Sequence, residues 1–502
     1  MDTPPAGISE ADWLSTPATV RVLILSQQQE IEQLRRQLTA LATELASLRE
    51  RVGRSSRNSS RPPSSDGPGF KPPERRKGSG RKRGGQPGHP GAGPVLLPME
   101  RVDAVVEHHP DACRCCGQLL DGVDPEPLRH QVIEIPPITP LVIEHRLHRL
   151  VCPCCSTSTC ATLPADVETS QYGPRLSALV GLLGSAFPLS FSKTQALLNQ
   201  LLGVEISRGA IATIRHRLSA VLAAPMEEAL AAARQQPVAY VDETGAPTGN
   251  ADGGNPTGKR GWQWVMVTAV VTVFVQGLSR SAVAAIELLG RSFGGIVVSD
   301  RFSAYNHLPI EQRQLCWAHV IRDLVAIAER PGASAEFGAQ LLELQQQLFG
   351  QWHQYKSGAI DWPALQQGSR PIRQEFVAVL ERIVTLGVAR GERTPWAKTV
   401  GTCQQLYAVA AGLWTFLEIK GIEPTNNAAE RALRQSVIQR KITGLPSNSR
   451  GVQSRQRGIC RCRLLTVTTT LRQQGRDVWQ FLEQAWIAHH RGGVMPSLLP
   501  DC

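Results

Sequence analysis

Apolar positions recur with different periods along the 502-residue chain, and each period predicts a different kind of element. Ile31, Leu34, Leu38, Leu41, Leu45, Leu48 and Val52 are spaced by threes and fours, the a/d seam of a coiled coil over a helix at 24–52. Residues 1–52 therefore read as a zipper-like helix that pairs chains into a homo-oligomer, or as one amphipathic helix packed on its own domain. Residues 53–97 are dominated by Pro, Gly, Ser and Arg, and cannot bury enough surface to order alone. Residues 166–225 return to a helical period. There Ser192 is placed to cap SKTQALLNQLLG, Gly203 to break the chain, and Ser207 to cap the helix RGAIATIRHRLSAVL. Two short helices about a Gly-containing turn are a helix-turn-helix pattern or a plain packing hairpin.

From residue 236 the pattern becomes short apolar runs. PVAYVDET, GWQWVMVTAV and VTVFVQGLS predict three strands, SAVAAIELLG a helix and GGIVVSD a further strand. This order predicts a multidomain α/β protein with a ribonuclease-H-like core beginning at 226–325. An α-helical insertion at 326–415 and a return to the core with C-terminal helices at 416–502 follow. The uncharged stretch Gly261–Ser279 is broken by Gln263 and Gln276 and fits two strands better than a membrane span. The opening MDTPPAGISEADW has neither a basic nor an apolar leader region, which predicts a cytoplasmic location, nucleoid-associated if DNA is the partner.

Charge narrows the partner. The net charge is +11, and residues 51–83 carry eleven Lys/Arg against Asp66 and Glu74, a net of +9. Such a run suits a polyanion such as DNA and adds affinity without sequence choice. Arg208, Arg215 and Arg217 on the second helix of the pair, with Arg431 and Arg434 near the C-terminal end, are the candidate DNA contacts; the former could enter a major groove. Twelve cysteines in a chain without a leader argue for metal or free thiols rather than disulfides. Within a module at 98–165, Cys113 with Cys116 and Cys152 with Cys155 form two CxxC knuckles, the ligand pattern of a structural Zn²⁺. Cys115 or Cys154 could substitute within each run.

The remaining chemistry lies in three carboxylates. Asp242 ends the apolar run VAYVD, Asp300 ends GGIVVSD, and Glu430 lies in EPTNNAAERALR. Three carboxylates can hold two Mg²⁺ (or Mn²⁺) ions about 4 Å apart, which together serve the attacking and leaving oxygens of a phosphodiester. Glu243 points to the other strand face and is the weaker candidate. Glu423 is a rival third ligand. Glu430 also stands three residues after Asn427, as in a capping box that needs no metal. His319 in CWAHVIRDL is placed either to reach a scissile phosphate or to pack.

In these residues the chain resembles the insertion sequence 66 family of bacterial DDE transposases. NSSRPPSSDGP, RKRGGQPGHPG, the double CxxC module, VDETG, SDRFSAYN, CWAHVIRDL and EPTNNAAERALR stand in the family's order. The resemblance implies a Mg²⁺-dependent transposase acting on the terminal inverted repeats of its element, with Asp242, Asp300 and Glu430 as the catalytic carboxylates. It also implies small accessory proteins encoded by the same element. One departure is GICRCRLLTV, with Cys460 and Cys462 where the family tends to carry a Phe-x-Glu-Arg-like element. That departure keeps two other expectations open: a catalytically inactive, zinc-containing DNA-binding protein derived from a transposase, or a nuclease that cuts without joining.

Overall fold

The computed structural model describes residues 9–53, 96–165, 167–443 and 452–500, so most of the expected linker lies outside the described residues. The chain divides into two compact units. The smaller comprises Lys71–Thr162 and Gln195–Ser207; the larger comprises Met1–Phe70, Leu163–Thr194 and Arg208–Cys502.

The amino-terminal region holds α1 (Glu10–Ser15) and α2 (Ala18–Gly53). The 36-residue α2 contains the expected seam, and Ile31, Leu34, Leu38 and Leu41 on it are each half or more exposed. The side chains of Leu45, Leu48 and Val52 lie outside the described set.

The smaller unit has little regular structure. β1 (Arg149–Val151) pairs antiparallel with β2 (Ser158–Cys160). Between the knuckles HQVIEI has strand-like alternation yet forms no strand: Val132, Ile133 and Ile135 are exposed, and alternation without a neighbouring strand does not make a sheet.

Helices α3 (Pro174–Ser185), α4 (Phe191–Leu202), α5 (Arg208–Val221) and α6 (Ala223–Ala233) follow. The cap of α4 is Ser190 rather than Ser192, since the Ser190 hydroxyl accepts from the Lys193 amide at 3.2 Å. Gly203, at φ +62°, ends that helix in the left-handed conformation that glycine adopts without strain.

The core of the larger unit is a five-stranded sheet. β3 (Val238–Gly245), β4 (Trp262–Val267) and β5 (Thr272–Gly277) form an antiparallel meander. After α7 (Ala282–Leu289), β6 (Ile296–Ser299) returns parallel to β3, and β7 (Arg313–Leu315) pairs parallel with β6. The strand order is β5-β4-β3-β6-β7. Four strands match the sequence expectation. β7 was not expected, because its residues Arg313 and Gln314 are polar; they are buried nonetheless, with Gln314 accepting from the Phe416 amide and donating to Leu413 O.

Helices cover both faces. On one face Ala239, Val241, Trp264, Met266 and Val273 pack with residues of α3, α5, α6 and α7. The other face meets the insertion, which comprises α8 (Trp317–Ala328), α9 (Ala333–Lys356), α10 (Trp362–Leu386), α11 (Pro395–Ala408) and α12 (Thr415–Glu418). Val298 and Leu315 of the sheet join its core around Trp317, Phe376 and Trp414. α13 (Asn427–Thr443) lies beside it, with Ala429 and Leu433 against Val265 and Phe274. α14 (Arg455–Gln473) and α15 (Val478–Arg491) complete the chain.

α14 also protects the sheet edge. Thr466 Oγ1 accepts from the Phe274 amide at 2.9 Å, while Thr470 Oγ1 accepts from the Thr272 amide and donates to Thr272 O, both at 3.0 Å. These hydroxyls occupy backbone groups that an edge strand otherwise offers to another chain. The divergent cysteines sit on this helix without breaking it. Cys460 donates to Arg215 O at 3.3 Å, and buried Cys462 accepts from Gln263 Nε2 at 3.3 Å. Among the described residues no helix is long and apolar enough to cross a membrane.

Candidate active site

Asp242 lies within β3 and Asp300 directly follows β6. The parallel register ends with Tyr240 paired to Val298, and Asp242 and Asp300 each lie two residues beyond that pair. The charge of Asp300 reaches Asp242, so two carboxylates separated by 57 residues are near each other, but with Glu430 they do not gather within 4.8 Å as a group of three. Asp242 Oδ1 accepts from the Glu243 amide at 2.8 Å, and Asp300 Oδ1 accepts from the Phe302 amide at 2.9 Å.

α13 supplies Glu430. Its placement depends on Asn426, buried just before the helix, whose Nδ2 donates to Val241 O at 2.8 Å. The Asn426 amide donates to Cys316 Sγ at 3.1 Å, and the Trp317 amide donates to Pro424 O at 3.0 Å. The Cys316 amide in turn donates to Ser299 O at 2.8 Å. These bonds fasten β3, the end of β6 and the starts of α8 and α13 to one another. Sequence reasoning singled out Asn427 and missed Asn426, whose partner is 185 residues away.

The capping-box reading of Glu430 does not hold: the helix begins at Asn427, and Glu430 Oε1 is buried without a hydrogen-bond partner. His319 Nδ1, 3.8 Å from that oxygen, is also buried and unpartnered. Glu423 is engaged elsewhere, by Lys356 Nζ at 2.8 Å.

Two of the acidic groups here, Asp242 and Glu243, are raised by burial. Burial pushes the Asp242 carboxyl up to about 8; the charges of Glu243, Asp300 and Glu430 add to this, against the lowering effect of the Glu243 amide. Glu243 is raised by burial too, but it is held behind Asp242 by Tyr305 Oη at 2.6 Å and Arg280 Nη2 at 2.7 Å. Burial, then the charge of Arg322, keep the His319 imidazole below its ordinary value, which favours its neutral form.

The expected DNA contacts divide. Arg208, Arg217, Arg431 and Arg434 are exposed. Arg215 turns inward: its Nη2 donates to Gly184 O at 3.3 Å and its guanidinium lies 5.3 Å from the Phe191 ring centroid. The close approach of α3 at Gly184, where a Cβ would meet the guanidinium carbon at 2.7 Å, draws it inside and removes it from the candidate contacts.

In the smaller unit the two knuckles repeat one turn. The Cys113 amide donates to Gln118 O at 2.8 Å and the Gly117 amide to Cys113 O at 2.9 Å. The Cys152 amide donates to Thr157 O at 2.9 Å and the Ser156 amide to Cys152 O at 2.9 Å. Gly117 and Ser156 both take positive φ, +74° and +58°. Hydrogen bonds, the largest from Cys116 and from Thr157 respectively, lower the pKa of Cys113 and Cys155 and favour the thiolates a metal takes. The structure forms each pair but does not gather the four sulfurs: among the described residues, the group of three or more metal-binding side chains within 4.8 Å is Cys316, His319 and Glu430.

A family profile described as the IS66 family of transposases matches residues 169–454, more than half of the chain. The chain belongs to the IS66 family of transposases. Residues 110–156 match a second profile, the zinc-finger binding domain of transposase IS66, which supports a structural Zn²⁺ in this module. Residues 16–94 match a family of unknown function. The uncharacterized protein y4jD of Sinorhizobium fredii is 24% identical over 380 residues, covering 70% of this chain and 71% of its own length. The family assignment thus spans α3 to α13, and with them all three carboxylates of this IS66-family chain.

Proposed function

We propose that the protein is a DDE-type DNA transposase that binds the terminal inverted repeats of its element and both cleaves and joins DNA there. Asp242, Asp300 and Glu430 are its catalytic carboxylates. The observation that supports this reading is that Asp242 and Asp300 lie just past the last pair of the β3–β6 register and that the charges of Asp300 and Glu430 both raise Asp242, with Glu430 beside His319 on a helix fastened to the same strand. The strand order, a three-stranded meander followed by two parallel strands, fits a ribonuclease-H-like core and supports the same reading.

The residues suit a divalent cation. Glu430 Oε1 is an orphaned buried oxygen, and Asp242 is raised first by burial and then by the charges of Glu243, Asp300 and Glu430, so a cation would relieve both. Mg²⁺ or Mn²⁺ held by the three carboxylates would supply charge stabilisation to the attacking and leaving oxygens. The chain's own contribution is positioning: the Asn426 bond to Val241 O aims Glu430, and the Arg280–Glu243–Tyr305 network fixes the strand behind Asp242. Arg431 and Arg434, exposed on the helix of Glu430, would meet backbone phosphates, as would Arg208 and Arg217 on α5. In the zinc module Cys113, Cys116, Cys152 and Cys155 are the proposed ligands, requiring the two knuckles to close on one ion. Cleavage and joining of labelled element-end DNA with Mg²⁺ tests the function. Binding without chemistry, with any accessory proteins supplied, would favour the inactive DNA-binding alternative that the Cys460 and Cys462 departure motivates.

The shift of Asp242 gives a pH dependence. Its folded value, about 8, lies above the ordinary 3.8. Its contribution to stability is therefore fully present below about pH 4 and is lost as pH rises through about 8 in metal-free protein. A bound cation must displace that proton. The rise in unfolding temperature produced by a fixed Mn²⁺ concentration is expected to be larger at about pH 8 than at about pH 6. An equal rise at both, in thermal unfolding monitored by circular dichroism, would remove Asp242 from the ligand set.

The exposed seam of α2 is the proposed contact between copies of the chain, pairing two DNA ends. Leu34→Glu with Leu38→Glu is expected to convert a dimer or higher oligomer to monomer, read by sedimentation. Oligomers unchanged by the double substitution would place the contact elsewhere.

A further inference from the structure

We propose that Cys316, His319 and Glu430 form a binding site for one thiophilic divalent cation of the zinc, cobalt(II) or cadmium class. One ligand atom from each residue lies within 4.8 Å of the other two. His319 Nδ1 and Glu430 Oε1 are 3.8 Å apart, and both are buried without a hydrogen-bond partner. Two buried polar atoms left open toward each other are costly unless a third group satisfies them. The third corner is Cys316 Sγ, 1% exposed as a residue, which already accepts the Asn426 amide at 3.1 Å. Burial holds the proton on this thiol and the Asn426 amide offsets only part of that, so a cation entering here would have to displace the proton.

The donor set names the ion class. One sulfur, one imidazole nitrogen and one carboxylate oxygen match the ligands of Zn²⁺, and three protein ligands leave a fourth position for water or another oxygen. Mg²⁺, which takes hard oxygen ligands, has no use for the thiolate. The backbone fixes the trio without the ion. Cys316 and His319 stand three residues apart at the start of α8, and Asn426 holds the start of α13 to the same cysteine. Glu430 is also the third carboxylate of the proposed active site, so an ion held here withdraws one ligand from that site. Zn²⁺ would thus act as an inhibitor that Mg²⁺ competes with poorly.

The test needs neither DNA nor turnover, so it does not depend on the transposase reading. Full-length protein is equilibrated with Co²⁺ and freed of excess ion. Cobalt content and the thiolate-to-cobalt absorption are then compared between wild type, Cys316→Ser, His319→Gln and Glu430→Gln. The zinc module contributes equally to all four, and Cys316→Ser and His319→Gln leave the three carboxylates intact, so the difference between wild type and these two reads this site alone. Wild type is expected to hold one equivalent more than Cys316→Ser, with the absorption reduced accordingly. Glu430→Gln is expected to weaken the extra equivalent by more than about tenfold. Because His319 is partly exposed and is not one of the three carboxylates, His319→Gln keeps the test decisive if Cys316→Ser does not fold. Equal cobalt content in wild type and folded variants would overturn the proposal.

Discussion

Asp242→Asn and Glu430→Gln are each expected to lower Mg²⁺-dependent cleavage and joining of element-end DNA by at least about 10²-fold, the scale of removing one preorganised electrostatic contributor to a transition state. Binding of the same DNA is expected to persist. The two substitutions act by different routes. Asp242 is buried and close to three other carboxylates, so the amide removes both a ligand and a source of repulsion; the metal-free protein is expected to become more stable at neutral pH as activity falls. Glu430 is 40% exposed, so Gln there is expected to change stability less than Asp242→Asn does. The measurement is a gel assay of labelled ends with a parallel binding assay. Full strand transfer in either variant would remove that residue from the catalytic set. Loss in Glu423→Gln with retention in Glu430→Gln would move the third ligand to a residue now paired with Lys356.

Trp317→Ala is expected to destabilise the larger unit by about 3–5 kcal/mol, the range for deleting a large buried aromatic. The indole is fully buried and stands edge-on to Phe349, Phe376 and Trp414, with centroids 6.1, 5.4 and 5.3 Å away. Its Nε1 donates to Leu413 O at 2.8 Å, a buried carbonyl that the substitution deprives of one donor. Trp317 lies between Cys316 and His319 and its indole packs the start of α8 into the insertion core, so the same change is expected to loosen that start and the approach of Glu430. Chemical denaturation checks the first effect, and the cobalt content of the Cys316 site the second. A loss below about 1 kcal/mol would mean that the insertion core repacks around the gap.

How far the sequence showed this arrangement depended on distance along the chain. β3 to β6 were visible because each is an apolar run, and Asp242 and Asp300 stood out as charges at the ends of such runs. β7 was hidden because Arg313 and Gln314 are polar and are buried against partners such as Asn306, Leu413 and Phe416, which only the fold brings near. Arg215 was misread as a surface cation because nothing local announces that α3 approaches it at Gly184. The apolar alternation of HQVIEI suggested a strand, yet pairing requires a neighbour that local pattern does not supply. Cys460 and Cys462 fill buried positions on an intact α14, so this departure from the family pattern leaves the local helix standing.

The way α13 is fastened has a consequence for the order in which the protein is made. Asp242 and Asp300 leave the ribosome early, but the asparagine that aims the third carboxylate follows only after the whole helical insertion. A growing or truncated chain ending before residue 426 carries two of the three carboxylates and the earlier basic residues, but no Asn426 or Glu430. Under the proposed function such a chain can touch DNA without cutting it, and the nuclease is armed only once synthesis has passed the insertion and α13 has docked on β3.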